Sequence, residues 1–379
     1  MGPRSEPRLG RQLRHPPPIS QGALRAYFIF DVADTIDLRR LQAIAGEGVE
    51  RAPLQLRSEL SPAYIQFPTP PLVARLSNAT LLGRPATARA KIFDYGVVSV
   101  RISLPFEGEW SRFVELAVGL RKSDEPAAEA QRLLADLIPG IASALDEPHE
   151  HLVEDYFVFE VEKFEDEIDA ETLLGPFGAA LASLVSGETQ PLGEEETREA
   201  LRVHFSYFQN DLAVIQWDTA FIFDTREDAE AIEDILEFAN TQLVELRTYD
   251  ARLDAELDVI YALDIARARP SWLFGRRAVE QRAEHLRYLL VDIRELADRA
   301  SNALKIIGDA FYARLYRGIA GRLSLADWQR QLDSKLESIN EVYRFLTDRG
   351  QSARSEFLEI VIIVLIAIEL VIALVGLRH

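Results

Sequence analysis

Short apolar runs with strand-like alternation fill the first 240 residues, and helical spacing takes over beyond them. Arg25 to Val32 (RAYFIFDV) is rich in aromatic and β-branched residues and predicts a strand, and Thr35 to Ala45 predicts a helix. Pro53, Pro62, Pro68, Pro70 and Pro71 mark the loop that follows. Ala88 to Leu104 predicts a hairpin: KIFD, a turn at Tyr95-Gly96, then alternation through VVSVRIS. Pro105 closes it, and Glu109 to Leu120 and Pro126 to Leu145 read as helices. Val153 to Val161 (VEDYFVFEV) predicts another strand. Val203 to Trp217 predicts a second hairpin, turning at Asn210-Asp211, with a helix from Glu227 to Glu245. The hairpin-then-helix units at 88–120 and 203–245 are displaced by about 116 residues, the pattern of a duplicated module.

After Asn240 the spacing is helical to the end. Leu286, Leu290, Ile293, Ala297, Ala300, Leu304, Ile307 and Phe311 alternate steps of four and three, a heptad seam that Gly318 and Gly321 interrupt. Ser324 and Asp327 have capping-box spacing, with Asp in place of the usual Glu. Leu325, Trp328, Leu332, Leu336, Ile339, Tyr343 and Leu346 form the next stripe. Two helices joined by a short Gly-bearing connection predict an antiparallel hairpin, with Gly350 as a hinge.

From Phe357 to Leu377 the chain reads FLEIVIIVLIAIELVIALVGL. At about 1.5 Å per residue this run spans roughly 30 Å, the thickness of a bilayer's hydrocarbon core. It predicts a tail-anchored, single-pass membrane protein. Arg344, Arg349 and Arg354 precede the run and Arg378 and His379 follow it, so the positive-inside rule places the body in the cytoplasm or an organelle matrix. Glu359 lies at the edge and can snorkel to water. Glu369 has nine residues of apolar run before it and eight after it. An ionisable group at that depth costs roughly 2.5–3.5 kcal/mol, which a hydrogen bond across a helix–helix contact would offset.

Charge narrows the partners. The net charge is -19, although the first fifteen residues carry four Arg against one Glu. An acidic body lacks the basic footprint of a nucleic-acid binder and does not lie flat on an anionic leaflet; it reads as a solvated, soluble face, with cationic surfaces or ions as the alternative partners. The N-terminal MGPRSEPRLGRQLRHPPP has no apolar core of a signal peptide and reads as a disordered basic tail. There is no cysteine, which excludes disulfides, zinc–thiolate sites and Cys nucleophiles.

Motifs for chemistry are sparse. Asp31 and Asp34 follow an apolar strand, as in the start of haloacid-dehalogenase phosphatases, but stand three apart where that motif needs two. Ile222-Phe223-Asp224-Thr225 is a similar fragment without a second Asp. His149-Glu150-His151, with Glu147, Glu154 and Asp155 nearby, has the residue types of a divalent-metal site on an extended segment. No Gly-rich phosphate loop, G-x-S-x-G or dinucleotide fingerprint occurs. Glu245, Arg247, Tyr249 and Asp250 form a polar cluster, Glu245 with Tyr249 on one helix face and Arg247 with Asp250 on another.

Three segments together resemble the required-for-meiotic-nuclear-division (Rmd/Sif) family. They are Phe93-Asp94-Tyr95-Gly96-Val97-Val98; Glu245-Leu246-Arg247 with Tyr249-Asp250 and Leu253-Asp254; and Leu358-Glu359 leading into Ile362 to Glu369. Where that family often carries a Pro-aromatic-Trp cluster, this chain has Gly308-Asp309-Ala310-Phe311-Tyr312. The resemblance implies membrane anchoring and no established enzymatic activity.

These readings predict an α+β protein. Residues 1–22 are a basic tail, 23–240 an α+β domain, 241–350 a coiled-coil-like stalk and 355–377 a transmembrane helix. The expected role is a non-enzymatic scaffold or assembly factor, without cofactor, partnered by the lipid bilayer and by a second copy or another membrane protein through stalk and span. The expected location is a bacterial inner membrane, or a mitochondrial one in a eukaryote. The alternative is a membrane-bound, metal-dependent hydrolase using acidic strand-end residues.

Overall fold

The computed structural model describes residues 15–46, 56–58, 69–266, 291, 293, 309–339 and 341. The chain divides into one unit of residues 1–248 with 298–326, and a second of residues 249–297 with 327–379.

The first unit is a mixed sheet clad by helices, α+β as the patterning predicts. Its elements are β1 (Ile19–Ile36), α1 (Leu38–Gly46), β2 (Leu56–Ser58), β3 (Leu72–Leu81), β4 (Arg84–Ile92), β5 (Val97–Gly108), α2 (Trp110–Lys122), α3 (Glu125–Ile141), β6 (Leu145–Phe164), α4 (Ala170–Leu174), α5 (Gly178–Ser186), α6 (Glu194–Ala200), β7 (His204–Phe205), β8 (Leu212–Ile215) and β9 (Thr219–Phe223). The long helix α7 (Arg226–Ala266) follows, and α8 (Ala310–Arg322) returns to the same unit. Among the described residues the nine strands lie in the order β2-β3-β4-β5-β1-β6-β9-β8-β7. All neighbours are antiparallel except β6 and β9, which run parallel through a helical crossover.

The predicted strands at 25–32 and 153–161 are the middles of β1 and β6, which extend to 18 and 20 residues. They pair along most of their length, with register shifts at Ile19/Gln21, Gln21/Gly22 and Asp31/Ala33. The hairpin at 88–104 is β4–β5, closed by the Phe93 N–H bonding the Val97 carbonyl at 2.9 Å. The second hairpin is the short β7–β8 pair, joined through residues 206–211. Two further hairpins, β3–β4 and β8–β9, carry signals that strand-by-strand reading misses.

Period-2 alternation gives β1 two different faces. Leu24, Ala26, Phe28 and Phe30 belong to the main core with Val98, Val100, Phe157 and Phe159, under Trp110, Phe113 and Leu116 of α2 and Leu133, Leu134 and Leu137 of α3. Arg25, Tyr27 and Ile29 point the other way, towards α7. Thus α2 and α7 cover opposite faces of the sheet. The two hairpin-then-helix units are not equivalent, and the duplicated-module expectation has no structural counterpart here.

Helix α7 begins with a reciprocal cap: the Asp228 N–H donates to Thr225 Oγ1 at 3.4 Å, and that hydroxyl donates to Asp228 Oδ2 at 2.8 Å. It runs well past the predicted end at Glu245. Asp309 Oδ1 accepts from the Phe311 and Tyr312 N–H groups at 2.7 and 3.3 Å and starts α8 as a new helix. The heptad seam therefore stops before Phe311. Gly318 and Gly321 do not interrupt α8. At Gly318 a Cβ would lie 2.3 Å from Cζ of Phe205, so the bare backbone is what lets that ring pack there. Ser324 takes a positive φ of 54°, and Asp327 pairs with Arg330 instead of capping.

In the second unit Lys335 pairs with Asp250 at 2.6 Å and Asp254 at 2.7 Å. Gln331 donates to Asp250 at 3.3 Å, and the Arg252 guanidinium lies 5.7 Å from the Tyr249 ring centre. Leu253, Leu332, Leu336 and Ile339 are buried. Most of the heptad seam and all of 355–377, with Glu359 and Glu369, lie outside the described residues. Among the described residues no helix is long and apolar enough to cross a membrane.

Candidate functional site

The densest group of ionisable side chains sits between the second face of the sheet and α7. Cross-strand register sets it up. Tyr27 on β1 lies opposite Arg101 on β5, which lies opposite Arg89 on β4; Ile29 aligns with Ser99 and Ser99 with Lys91. Facing residues in a ladder share a face, so Arg25, Tyr27, Arg89, Lys91 and Arg101 project together. Helix α7 presents Glu230, Glu233, Asp234 and Glu237 at steps of three and four, one side of a helix turned to that basic surface.

Glu233 is the hub. Its Oε1 accepts from Arg25, while its Oε2 accepts from the Tyr27 hydroxyl at 2.5 Å and from Arg101 at 3.1 Å. Arg25 also pairs with Glu160 on β6. Lys91 bridges Asp234 at 2.8 Å and Glu237 at 2.9 Å, and Arg89 reaches Glu230 at 3.7 Å. Glu233 is 1% exposed, Glu237 3%, Lys91 4% and Arg25 5%. Burial pushes the Glu160 carboxyl up, against the Arg25 guanidinium, which holds it down. Burial and the Glu233 charge raise the Tyr27 phenol well above its ordinary value, so it stays a donor. Each carboxylate here is paired with a cation, although Glu160 Oε1 is buried without a hydrogen-bond partner. The layer is closed to a substrate and works as a latch between sheet and helix.

Towards β8 and β9 the same interface turns apolar. Ile215, Ala220 and Ile222 are buried with Ile232, Ile235, Leu236 and Phe238 of α7. Helix α8 joins there, its Tyr316 hydroxyl donating to Gln242 at 2.7 Å and its ring 6.1 Å from that of Phe238.

The sequence motifs fall around this latch. Phe93 and Tyr95 stack at 5.2 Å, and the Tyr95 hydroxyl lies 2.9 Å from Thr241 Oγ1 on α7. The Asp94 carbonyl accepts from the Ile36 N–H at 2.8 Å and the Gly96 carbonyl from the Val32 N–H at 2.9 Å. Gly96 has φ +88°, and a Cβ there would stand 1.7 Å from the Ala33 oxygen. The Phe-Asp-Tyr-Gly turn therefore ties β1 and α7 together. Glu245 and Leu246 are buried, and Arg247 pairs with Glu154 on β6. Tyr249, Asp250 and Asp254 make the contacts given above for the second unit.

The two weakest sequence hints come together. His149 Nε2 lies 3.4 Å from Asp31 Oδ1 and 3.7 Å from Asp34 Oδ1, where the end of β1 meets the start of β6. Glu147 beside it has φ +46°. Among the described residues, however, no group of three or more His, Cys, Asp or Glu side chains is arranged to hold a metal ion. A metal-dependent hydrolase therefore has no support in this geometry. Asp224 follows β9 and accepts from the Thr225 N–H at 2.7 Å, just ahead of the residue that caps α7.

Sequence reading missed Arg25, Tyr27, Arg101 and Glu233. Two signals could have found them: basic residues inside three apolar strands, at 25, 89, 91 and 101, and acids at 230, 233, 234 and 237.

The family model described as "Uncharacterized protein MJ0711, N-terminal domain" matches residues 21–230. The uncharacterised protein MJ0711 of Methanocaldococcus jannaschii is 24% identical over 211 residues, 56% of this chain and 64% of that protein. The match thus spans less than two thirds of the relative's own length. No solved structure matches the chain. The matched region holds the basic sheet side of the latch and ends just before Glu233.

Proposed function

From the premise that the chain belongs to the family of the MJ0711 N-terminal domain, whose role is uncharacterised, we propose that it is a membrane-tethered, non-enzymatic scaffold or assembly factor. One observation carries this reading. Among the described residues the densest set of ionisable groups is buried and ion-paired around Glu233, so it stiffens the domain instead of meeting a substrate. An enzyme keeps its acid and base within reach of a reacting atom. Here the carboxylates are spent on arginines and a lysine.

The tether is the apolar run 357–377, long enough to cross a bilayer. The resemblance of its Leu358-Glu359 and Glu369 pattern to the Rmd/Sif family supports the same reading. By the positive-inside rule the body faces the cytoplasm. Alkaline carbonate extraction of native membranes, followed by crosslinking and mass spectrometry, tests both halves. The full chain should stay in the pellet and crosslink to a stoichiometric partner. Release into the supernatant removes the tether. Phosphatase or esterase turnover that disappears in Asp31→Asn or His149→Ala would instead make the protein an enzyme.

A further inference from the structure

Away from the latch, Trp217 between β8 and β9 is 67% exposed as a single ring, whereas one loop exposes two adjacent large apolar side chains. Tyr207 and Phe208, in the loop between β7 and β8, are each 65% exposed. Their backbone is tied down by hydrogen bonds. The Asp211 carboxylate accepts both their backbone N–H groups, at 2.7 and 2.6 Å, and the two rings meet edge to face at 4.7 Å. Tyr207 continues into Phe311 at 5.3 Å, and Phe311 into Tyr312 at 5.4 Å, both at the start of α8. Four rings thus form one continuous aromatic strip.

The strip is edged by carboxylates. Asp211 lies beneath it, Asp309 caps α8 under Phe311, and Asp224 and Asp228 flank the start of α7. Among the described residues none of these four forms an ion pair. Their fields converge. Burial, then Asp228, Asp224, Asp309 and Asp211, raise the Tyr312 phenol to about 12. Burial and the charges of Asp211 and Asp228 raise Asp224 to about 7. The chain also shows what such a surface accepts: its own Arg314 places a guanidinium 5.5 Å from the Phe311 ring centre.

We propose that this strip is a docking site for an arginine-bearing, extended peptide segment of a partner protein. Its guanidinium groups stack on Tyr207 and Phe208 and face the exposed carboxylates of Asp228 and Asp309. A planar cation gains from both features, through the negative face of the ring and through the carboxylates, whereas a compact ammonium is more strongly hydrated and stacks less well. The proposal gives the scaffold reading a partner chemistry and rests on that reading for its purpose. Its test can fail while carbonate extraction still retains the chain, so the two failures are distinguishable.

The probe is a short fluorescent peptide of alternating Arg and Gly, titrated against the full chain in neutral detergent and followed by anisotropy. A Lys-Gly peptide of equal charge is the control. The Arg peptide should bind several-fold more tightly than the Lys peptide. Tyr207→Ser with Phe208→Ser should weaken it about tenfold with an unchanged melting midpoint, because these side chains are exposed. Asp228→Asn should weaken it about threefold, whereas Asp228→Glu, which keeps the charge, should bind as wild type does and so separates the charge from the α7 cap. Equal binding of both peptides, indifferent to the ring substitutions, would reduce the effect to the chain's overall acidity and overturn the proposal. A ring variant that alters the sedimentation of the full chain but not peptide binding would assign the strip to a second copy and overturn it equally.

Discussion

Arg25 on β1 and Glu233 on α7 form an ion pair across 208 residues of sequence, with side chains 6% and 1% exposed. Tyr27, Arg101 and Glu160 gather around that pair. It is neither a surface bridge nor a catalytic dyad. It fixes which face of α7 meets the sheet, because a rotation of the helix by one residue would bury Glu233 without a cation.

Glu233→Ala should therefore cost far more than a typical substitution. It leaves two buried guanidinium groups, Arg25 and Arg101, without their shared carboxylate. The expected loss is about 3–5 kcal/mol, read as a fall in the urea midpoint. Glu230→Ala, at the solvent edge of the same helix face, should stay within about 1 kcal/mol.

Gly96→Ala should destabilise by at least about 2–3 kcal/mol, since φ +88° strains any residue with a Cβ and that Cβ would overlap the Ala33 carbonyl. Gly83→Ala also has a positive φ, +66°, but open space around it. Its cost should be only the backbone term, about 1 kcal/mol. Parallel thermal melts of the two variants separate conformational strain from collision.

Asp224 makes stability depend on pH. Burial, with the charges of Asp211 and Asp228, raises its folded pKa to about 7, above the unfolded carboxylate near 4. The folded state then binds the proton more tightly, so this contribution is complete below about pH 4 and is lost as pH rises through 7. Asp224→Asn should leave stability unchanged near pH 4 and raise it near pH 8. For a half-buried group, discounted for solvent screening, the gain is about 1 kcal/mol, or roughly 2–4 °C in melting midpoint. A wild-type melting curve no less stable at pH 8 than the variant's would contradict it.

Glu369 concerns the proposed span. If it hydrogen-bonds across a helix–helix contact, Glu369→Leu should shift the detergent-solubilised chain towards smaller species by light scattering. An unchanged mass distribution would leave this carboxyl out of self-association.

The chain's local patterning was enough to find its secondary elements where one face is apolar. Trp110, Phe113 and Leu116 mark α2 by their spacing, and VVSVRIS marks β5 by alternation, because burial on one side imposes period 3.6 or 2. The Phe-Asp-Tyr-Gly turn was legible for a similar reason: a glycine after an aromatic residue, between two strand runs, signals a turn. Nothing local distinguishes Arg25 from an exposed strand arginine, or Glu233 from any solvated helix acid. Only the strand order β4-β5-β1-β6, with α7 laid across it, brings Arg89, Arg101, Arg25 and Glu160 under one row of carboxylates. The same holds for His149 with Asp31, and for Tyr207 with Phe311. Hydrophobic period is a property of neighbouring residues and can be read along a chain. Charge pairing between distant residues depends on register and crossover, and these exist only once the sheet has formed.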